Sequence, residues 1–234
     1  MNMETSVLIY SNDKYSDVWG PFFTLFFRYW ACPYQVYLTT ETEQCLLPEV
    51  KTINTDAPTW TERIKAAVEQ IPTEYIIGMC EDFFFRRPVK QEVINACIMF
   101  MRYNKNIGCF NFEKEYDPEC KLIPSQYPSF GRKPPGNHFQ KSCQPTLWRK
   151  DYLLKLLDCE YDPWQWETIE TEYPLDHYVW NGPHENIAFE YGYQEMKWFG
   201  IVKGKWFLPD VQPLFEHEGI QIDFTKRGAI QWQE

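Results

Sequence analysis

Two places along the chain carry side chains of a type and order that could act on a substrate. The first is Glu81-Asp82, which closes the apolar run Glu74 to Cys80 (EYIIGMC). In open α/β sheets ligands bind outside the carboxyl ends of strands, so carboxylates standing there are placed to meet one. Hard carboxylate oxygens suit Mg²⁺ or Mn²⁺, which keep part of their water and bridge to substrate phosphates. The pair therefore reads as the protein half of a metal-diphosphate site, against the alternative of an acidic turn with solvated carboxylates. Phe83 to Phe85 follow at once, which favours a packed and positioned turn.

The second is Glu167, directly after Trp164-Gln165-Trp166. Indoles give a carboxyl group the apolar surroundings that raise its pKa toward useful base strength, and their flat faces offer a sugar ring somewhere to stack. Glu167 is the candidate general base. Asp162, Glu170 and Glu172 compete with it in the same stretch, and an acidic helix start is the alternative.

Other chemistries lack their motifs. His138, His177, His184 and His217 show no zinc-type spacing. Gly200 to Lys205 (GIVKGK) lacks the spacing of a phosphate-binding P-loop and the Ser or Thr that must follow it. Neither G-x-G-x-x-G nor G-x-S-x-G occurs, which removes motif support for Rossmann dehydrogenases and serine hydrolases.

The elements that must hold these residues alternate. Ser6 to Tyr10, Gln35 to Thr39, Val50 to Ile53, Glu74 to Cys80 and Ile107 to Phe112 read as strands. Asp17 to Trp30, the stretch from Trp60 to Ile71 and Val89 to Tyr103 read as helices. The second of these helices opens on a capping box, Thr59 with Glu62 three residues on. Glu113 to Lys141, with five prolines, reads as a long functional or lid-like loop. Asp151 to Asp158 reads as a Leu-rich helix, and Ile187 to Tyr191, Phe199 to Val202 and Ile220 to Phe224 as strand-like pieces of the tail. Strands alternating with helices imply a parallel-type sheet covered on both sides.

At 234 residues, with 44% hydrophobic and 24% charged side chains, the chain is neither disordered nor fibrous and fits one domain. A formal charge of -10, with basic residues grouped no more densely than Arg86-Arg87 and Lys226-Arg227, argues against a nucleic-acid partner. The eight cysteines lack a C-x-x-C, and the N-terminus lacks a basic and apolar leader, so they read as reduced cytosolic thiols. No apolar run reaches the roughly 20 residues of a membrane span, so any membrane contact is peripheral.

Three stretches, VLIYSNDKYSDVW, PTWTERIKAAVEQIPTEYIIGMCEDFF and SCQPTLWRKDYLLKLL, give about residues 6 to 206 a resemblance to glycosyltransferases of GT-A type. The similarity is greatest to the small bacterial members that build capsule or lipopolysaccharide chains. It implies a GT-A-like single α/β domain over 1–234, with a mostly parallel central sheet and helices on both faces. Residues 1–112 would form the nucleotide-binding half, and 113–234 the acceptor half and C-terminal tail.

In that family an acidic motif ending the fourth strand, commonly Asp-x-Asp or Glu-Asp-Asp, holds a divalent cation on a nucleotide-sugar diphosphate. Cys80-Glu81-Asp82 departs from it by carrying Cys in place of the first acid. The resemblance then leaves Asp82 as the metal ligand for Mn²⁺ or Mg²⁺ and Glu81 near the ribose or a bridging water, with His217 completing the cation site. Ser11, Asp13 and Tyr15 would hold base and ribose. Trp60 and Arg63 would face the same cleft, the guanidinium offered to the diphosphate, and Gln144 and Trp148 would contact donor sugar or acceptor. For Tyr15 a surface-packing role, for Arg63 a solvated helix face and for Trp148 a core position are the alternatives.

The function so implied is transfer of a sugar from a nucleotide sugar to a glycan or lipid-linked acceptor, by an inverting displacement in which Glu167 takes the acceptor's proton. It would take place in the cytoplasm or at the inner face of the membrane. A sugar nucleotidyltransferase is one rival, although SNDKYSD stands where such enzymes carry a Gly-rich basic loop. A non-catalytic carbohydrate-binding protein on the same fold is the other.

Overall fold

Short apolar runs bounded by turn residues become strands here, and the amphipathic stretches between them become helices. The computed structural model describes residues 4–231 apart from 116, 118, 171 and 193–199. In chain order the first half holds β1 (Thr5–Tyr10), α1 (Ser16–Tyr29), β2 (Gln35–Thr40), β3 (Val50–Asn54), α2 (Trp60–Gln70), β4 (Tyr75–Cys80), α3 (Gln91–Tyr103) and β5 (Ile107–Lys114). All eight stand where the periodicity placed them. Next come β6 (Ile123–Pro124), β7 (Phe130–Arg132), β8 (Thr146–Arg149), α4 (Lys150–Leu156), α5 (Pro163–Thr168) and β9 (Asp176–Trp180). The chain continues with β10 (Ile201–Val202), β11 (Lys205–Phe207), α6 (Leu208–Glu218) and β12 (Ala229–Ile230).

These elements fall into two units. One takes the chain up to Asp13, Pro33–Cys80 and Lys90–Ala188; the other takes Lys14–Cys32, Glu81–Val89 and the chain from Phe189 onward.

In the first unit the described strands form a sheet in the order β3-β2-β1-β4-β8-β5-β9-β7-β6. Strands β3, β2, β1 and β4 are mutually parallel, as expected, with Leu8 level with Tyr37 on one side and Gly78 on the other. Beyond β4 the sheet is mixed. Strand β8 runs antiparallel to both β4 and β5, β9 is parallel to β5, and β7 and β6 close the edge antiparallel. The segment read as one long loop supplies both of those edge strands. Strand β9 escaped the sequence reading because His177, Tyr178, Val179 and Trp180 are all buried, which erases the alternation that marks a half-exposed strand.

Helices cover both faces. On one face Leu8, Tyr10, Ile76, Cys109 and Trp148 pack beneath Trp60, Ile64 and Val68 of α2, Tyr152 and Leu153 of α4, and Trp166 of α5. Helix α3 packs against β5 and β8 through Ile94, Cys97, Ile98 and Met101. Helix α2 begins where its capping box predicts: Thr59 accepts from the Glu62 N–H (3.3 Å), and Glu62 accepts from the Thr59 N–H (3.0 Å).

In the second unit Phe83, Phe84 and Phe85 are buried. Phe85 stacks on Phe26 of α1 (5.5 Å between centroids), and Phe84 stacks on Trp206 (6.1 Å) and meets Phe215 edge-on (5.1 Å). Arg86 pairs with the buried Asp210 at 2.6 Å. The turn after β4 is thus packed by its aromatic neighbours. Strands β10 and β11 join through Lys203 and Gly204, both at positive φ (50° and 75°), the backbone of a tight hairpin. The tail piece Ile220 to Phe224 is not a strand: Gly219 ends α6 in the left-handed conformation, and the Ile220 N–H reaches back to the Phe215 carbonyl at 2.8 Å. Of the expected piece Phe199 to Val202, Phe199 lies outside the described residues and Ile201–Val202 is a strand.

All eight cysteines are free thiols. Among the described residues no helix is long and apolar enough to cross a membrane.

Gly78 marks the tightest packing in the sheet, because a Cβ there would land on the hydroxyl and ring of Tyr10. Gly78→Ala should lower stability by about 1–3 kcal/mol through overpacking. Urea unfolding should show this as a lower midpoint with an unchanged slope. An unchanged midpoint would mean that the Tyr10 ring has another place to go.

Candidate functional site

The carboxyl ends of β4 and β5 carry a buried polar cluster, and a very short helix completes it. Helix α5 has six residues, yet it is well specified. Asp162 accepts from the Gln165 N–H (2.7 Å), Gln165 accepts from the Asp162 N–H (3.1 Å), and Pro163 sits in its first turn. Trp166 is wholly buried, and its indole N–H donates to the Leu156 carbonyl at 3.0 Å. With the helix anchored in this way, Glu167 meets the segment leading into β8. Its Oε1 accepts from the Cys143 N–H at 2.6 Å, and the Ser142 hydroxyl also bonds to it. The Cys143 carbonyl in turn accepts from the Cys80 N–H (3.1 Å) at the end of β4. Burial raises the Glu167 pKa, opposed by these hydrogen bonds and by the Lys133 charge.

Glu113, at the end of β5, is the second acid. Burial pushes its pKa up to about 8, helped by the negative charges of Glu167 and Glu115 and opposed by a hydrogen bond with Gln144 and by Lys133. Lys133 is almost without water. Its ammonium lies 2.9 Å from Glu115 and donates to the Phe139 carbonyl at 2.7 Å. Glu113, Glu115, Glu167, Lys133 and Gln144 thus form one cluster in which Glu113 holds a proton near neutral pH. Glu167 remains partly exposed, so it can take a proton from a hydroxyl brought to it. Sequence reasoning missed Glu113; the available signal was a carboxylate at the end of an apolar strand, the same signal that singled out Glu81.

The structure brings several of the expected residues together. Gln144 and Glu167 meet in this cluster. Ser11, Asp13 and Arg63 meet around the turn after β2. The Ser11 N–H donates to Thr39 (2.9 Å), the Asp13 N–H donates to Glu41 (2.6 Å), and Arg63 lies 3.5 Å from Glu41. Asp13 is a tie for that turn: it accepts from the N–H groups of Glu41 (3.0 Å), Thr42 (3.0 Å) and Glu43 (3.1 Å) and from the Thr42 hydroxyl (2.6 Å). Burial acts to raise the Asp13 pKa, and these bonds overcome it to hold the carboxyl below its usual range. Trp60 and Trp148 are core residues, 7% and 0% exposed, and both rest on Trp166 (5.5 and 5.9 Å).

Tyr15, Glu81, Asp82 and His217 belong to the second unit. The Tyr15 ring lies 4.3 Å from the Arg227 guanidinium, which supports the surface-packing alternative. Glu81 is buried and Asp82 half-buried. His217 is exposed on α6, 2.9 Å from Glu218, a carboxylate that also binds Arg28 and Tyr29. Among the described residues no three His, Cys, Asp or Glu side chains gather as metal ligands.

Two clefts open in the first unit. One of about 700 Å³ is lined by Glu74, Lys105, Arg149 and Lys150, at the amino ends of β4 and β5. Its Arg149 is committed to the fold, donating to the carbonyls of Met101 (2.8 Å) and Ile107 (3.2 Å). The other, of about 420 Å³, is lined by Arg132, Lys133, Gly136, Gln140, Tyr173 and His177. His177 Nδ1 lies 2.7 Å from the Gln140 carbonyl and Nε2 lies 2.7 Å from the Tyr152 hydroxyl. A carbonyl only accepts, so Nδ1 carries the proton and Nε2 accepts from Tyr152. Burial lowers this ring's pKa to about 4.

No protein-family model matches the chain, and no curated protein matches its sequence. Among solved structures it is similar to the bifunctional IspDF from Campylobacter jejuni, at 14% identity over 66% of this chain and 43% of that one, with a TM-score of 0.40. It is also similar to S. aureus TarS 1-349 in complex with UDP-GlcNAc (10% identity, 80% of this chain, 57% of that one, TM-score 0.46). A third is CMP:2-keto-3-deoxy-manno-octonic acid synthetase complexed with CTP (12%, 92%, 99%, TM-score 0.44). The chain spans less than two thirds of the length of the first two. These likenesses are of architecture, and no residue of this chain takes a role from them.

Two of the perturbed buried groups, His177 and Glu113, act on stability with opposite signs as pH changes. His177, lowered from about 6.5 to about 4, makes the unfolded chain the stronger proton binder, so stability is lost as pH falls from 6.5 toward 4. Glu113, raised from 4.5 to about 8, makes the folded chain the stronger binder, so stability is lost as pH rises from 4.5 toward 8. Each contributes about 1.4 kcal/mol per pH unit within its window. The two slopes cancel between 4.5 and 6.5, and stability should fall on either side of that plateau. Chemical denaturation at pH 6.5 and 8 should show a loss of about 2 kcal/mol in the wild type, and Glu113→Gln should abolish it. An alkaline loss that persists in Glu113→Gln would assign it to another group.

Proposed function

We propose that this protein is a glycosyltransferase that moves a sugar from a nucleotide-diphosphate sugar to a glycan or lipid-linked acceptor, in the synthesis of a surface polysaccharide such as capsule or lipopolysaccharide. The observation that carries the reading is Glu167. It is a half-buried residue at the carboxyl end of the strands, its carboxylate held by the N–H and side chain of Cys143 and the Ser142 hydroxyl, with a pKa raised by burial, directly after two indoles in sequence. An inverting displacement asks one proton acceptor of the protein at that place. The acceptor hydroxyl donates its hydrogen bond to Glu167. Its oxygen then bonds to the anomeric carbon, the bond from that carbon to the nucleoside diphosphate breaks, and the proton passes to Glu167.

The neighbouring groups suit this task. Protonated Glu113 lowers the negative charge that an anionic donor would meet, and Gln144 offers amide contacts to a sugar hydroxyl. Arg63, 3.5 Å from Glu41 and partly exposed, is a cation of the first unit that can turn to a diphosphate.

The purified protein should release a nucleoside diphosphate from one member of a panel of UDP-, GDP- and dTDP-sugars, faster when acceptor is present. Release of pyrophosphate from a nucleoside triphosphate and a sugar phosphate would instead make it a nucleotidyltransferase. Glu167→Gln keeps the volume and much of the hydrogen bonding, and it should lower turnover by roughly 10² to 10⁴-fold with donor affinity nearly intact. If Glu170→Gln or Glu172→Gln abolishes transfer while Glu167→Gln does not, the base is that neighbour. If none of the three matters, an inverting mechanism with a base in this stretch is wrong.

A further inference from the structure

Among the exposed large apolar side chains of the described residues, two rings face each other: Phe139, 42% exposed, and Trp164, 66% exposed. Their centroids are 6.0 Å apart, with the planes at 66°. Rings with this much surface in water, 66% of Trp164 and 42% of Phe139, gain less for the fold than buried ones. One of them is also held against its backbone preference, since Phe139 has φ 53°, in the left-handed region that bulky side chains avoid.

That conformation is fastened on both sides. Lys133, buried and paired with Glu115, donates to the Phe139 carbonyl (2.7 Å). Gln140 donates to the Pro134 carbonyl (2.6 Å), while its own carbonyl lies 2.7 Å from His177 Nδ1. Lys141, with no exposed surface, donates to the Ile169 carbonyl (2.9 Å) at the end of α5 and lies over the Trp166 and Tyr173 rings. Strain held by buried polar anchors, so that a ring stands in solvent, is characteristic of a binding position. Trp164 precedes Glu167 by three residues on α5, so the two share one side of that helix.

We propose that Phe139 and Trp164 form an aromatic corner on which a pyranose ring of a neutral saccharide stacks beside Glu167. That this saccharide is the acceptor rests on the glycosyl-transfer reading; the corner itself does not. The chemistry fits a sugar specifically. A pyranose presents an apolar C–H face to an aromatic ring, and its hydroxyls suit the carboxylate and amide acceptors of Glu167 and Gln144. The cleft of about 420 Å³ formed by the same segment, with Lys133, Gly136 and Gln140 in its wall, gives a neighbouring sugar unit room and polar partners. Glu160, Asp162, Glu170 and Glu172, all exposed and within eight residues of Trp164 along the chain, add negative charge to this stretch, which disfavours an anionic lipid surface as the occupant.

The test uses cellotetraose, chitotetraose and maltotetraose, without any nucleotide, followed by saturation-transfer NMR on the full chain. Wild type should bind at least one of them, with the strongest transfer to ring C–H protons. Trp164→Ala and Phe139→Gly should each weaken that binding by about tenfold or more, and Trp164→Phe should retain most of it. Phe139→Gly should at the same time raise the melting temperature, because glycine adopts positive φ without strain. A melting temperature that rises with binding intact overturns the proposal, as does wild type that binds none of the three. Should Phe139→Gly fold poorly, Trp164→Ala decides alone, since it removes a ring that lies mostly in solvent. Nucleoside diphosphate release from the donor panel separates the two readings. Saccharide binding through these rings without nucleotide release keeps the corner and ends the transfer reading; release without such binding does the reverse.

Discussion

Burial of the Lys133 ammonium is the constraint on which the polar half of the first unit depends. An ammonium taken out of water must be paired and fully hydrogen-bonded or lose its charge. Glu115 and the Phe139 carbonyl meet that demand from two directions, so one side chain ties the end of β5 to the segment before β8. The consequences reach both acids at that edge. Lys133 favours the ionised forms of Glu113 and Glu167 against the burial that raises them, and burial prevails. The same ammonium also holds Phe139 in its unfavourable backbone conformation.

Aromatic packing supplies the rigidity around this polar cluster. Tyr10 meets Trp60 edge-on, Trp60 and Trp148 both rest on Trp166, and Trp148 meets His177. Trp166 is the shared member. A six-residue helix is too short to persist by its own hydrogen bonds, so α5 holds its shape through that buried indole and its two caps. Glu167, the next residue, inherits a fixed place from the packing of its neighbour. Among the described residues most aromatic side chains therefore belong to the core, and Phe139 and Trp164 are an exposed pair in contact.

The strand order accounts for why the acids gather where they do. Strands β4 and β5 present their carboxyl ends at one edge, and β8 between them runs the opposite way, so the segment entering β8 arrives at that same edge. Ser142, Cys143 and Gln144 occupy this entry. They supply a hydroxyl, an N–H and an amide to the two carboxyl groups, and the Cys80 N–H closes the contact from β4. A parallel β8 would have brought Arg149 to this edge instead.

Local periodicity was enough to read β1 through β5 and the three helices between them, because each is stabilised by a face or run that a short window of residues displays. The capping box at Thr59 and the strand-end position of Glu81-Asp82 were legible for the same reason, as was Glu167 among its indoles. What the chain's order could not express was pairing at a distance. Strand β9 is buried on both sides, and the short edge strands β6 and β7, like the antiparallel direction of β8, depend on partners far along the chain. Glu113 looked like the first residue of a loop until burial and the charges of Glu115 and Glu167 made it an acid that keeps its proton. Asp13, chosen for its loop, is spent on the backbone of residues 41–43, and Trp60 and Trp148, chosen for a cleft, are interior. Residue type and spacing determined which groups could do chemistry; desolvation and long-range pairing, which depend on the folded neighbourhood, decided which of them are buried, paired or shifted in pKa.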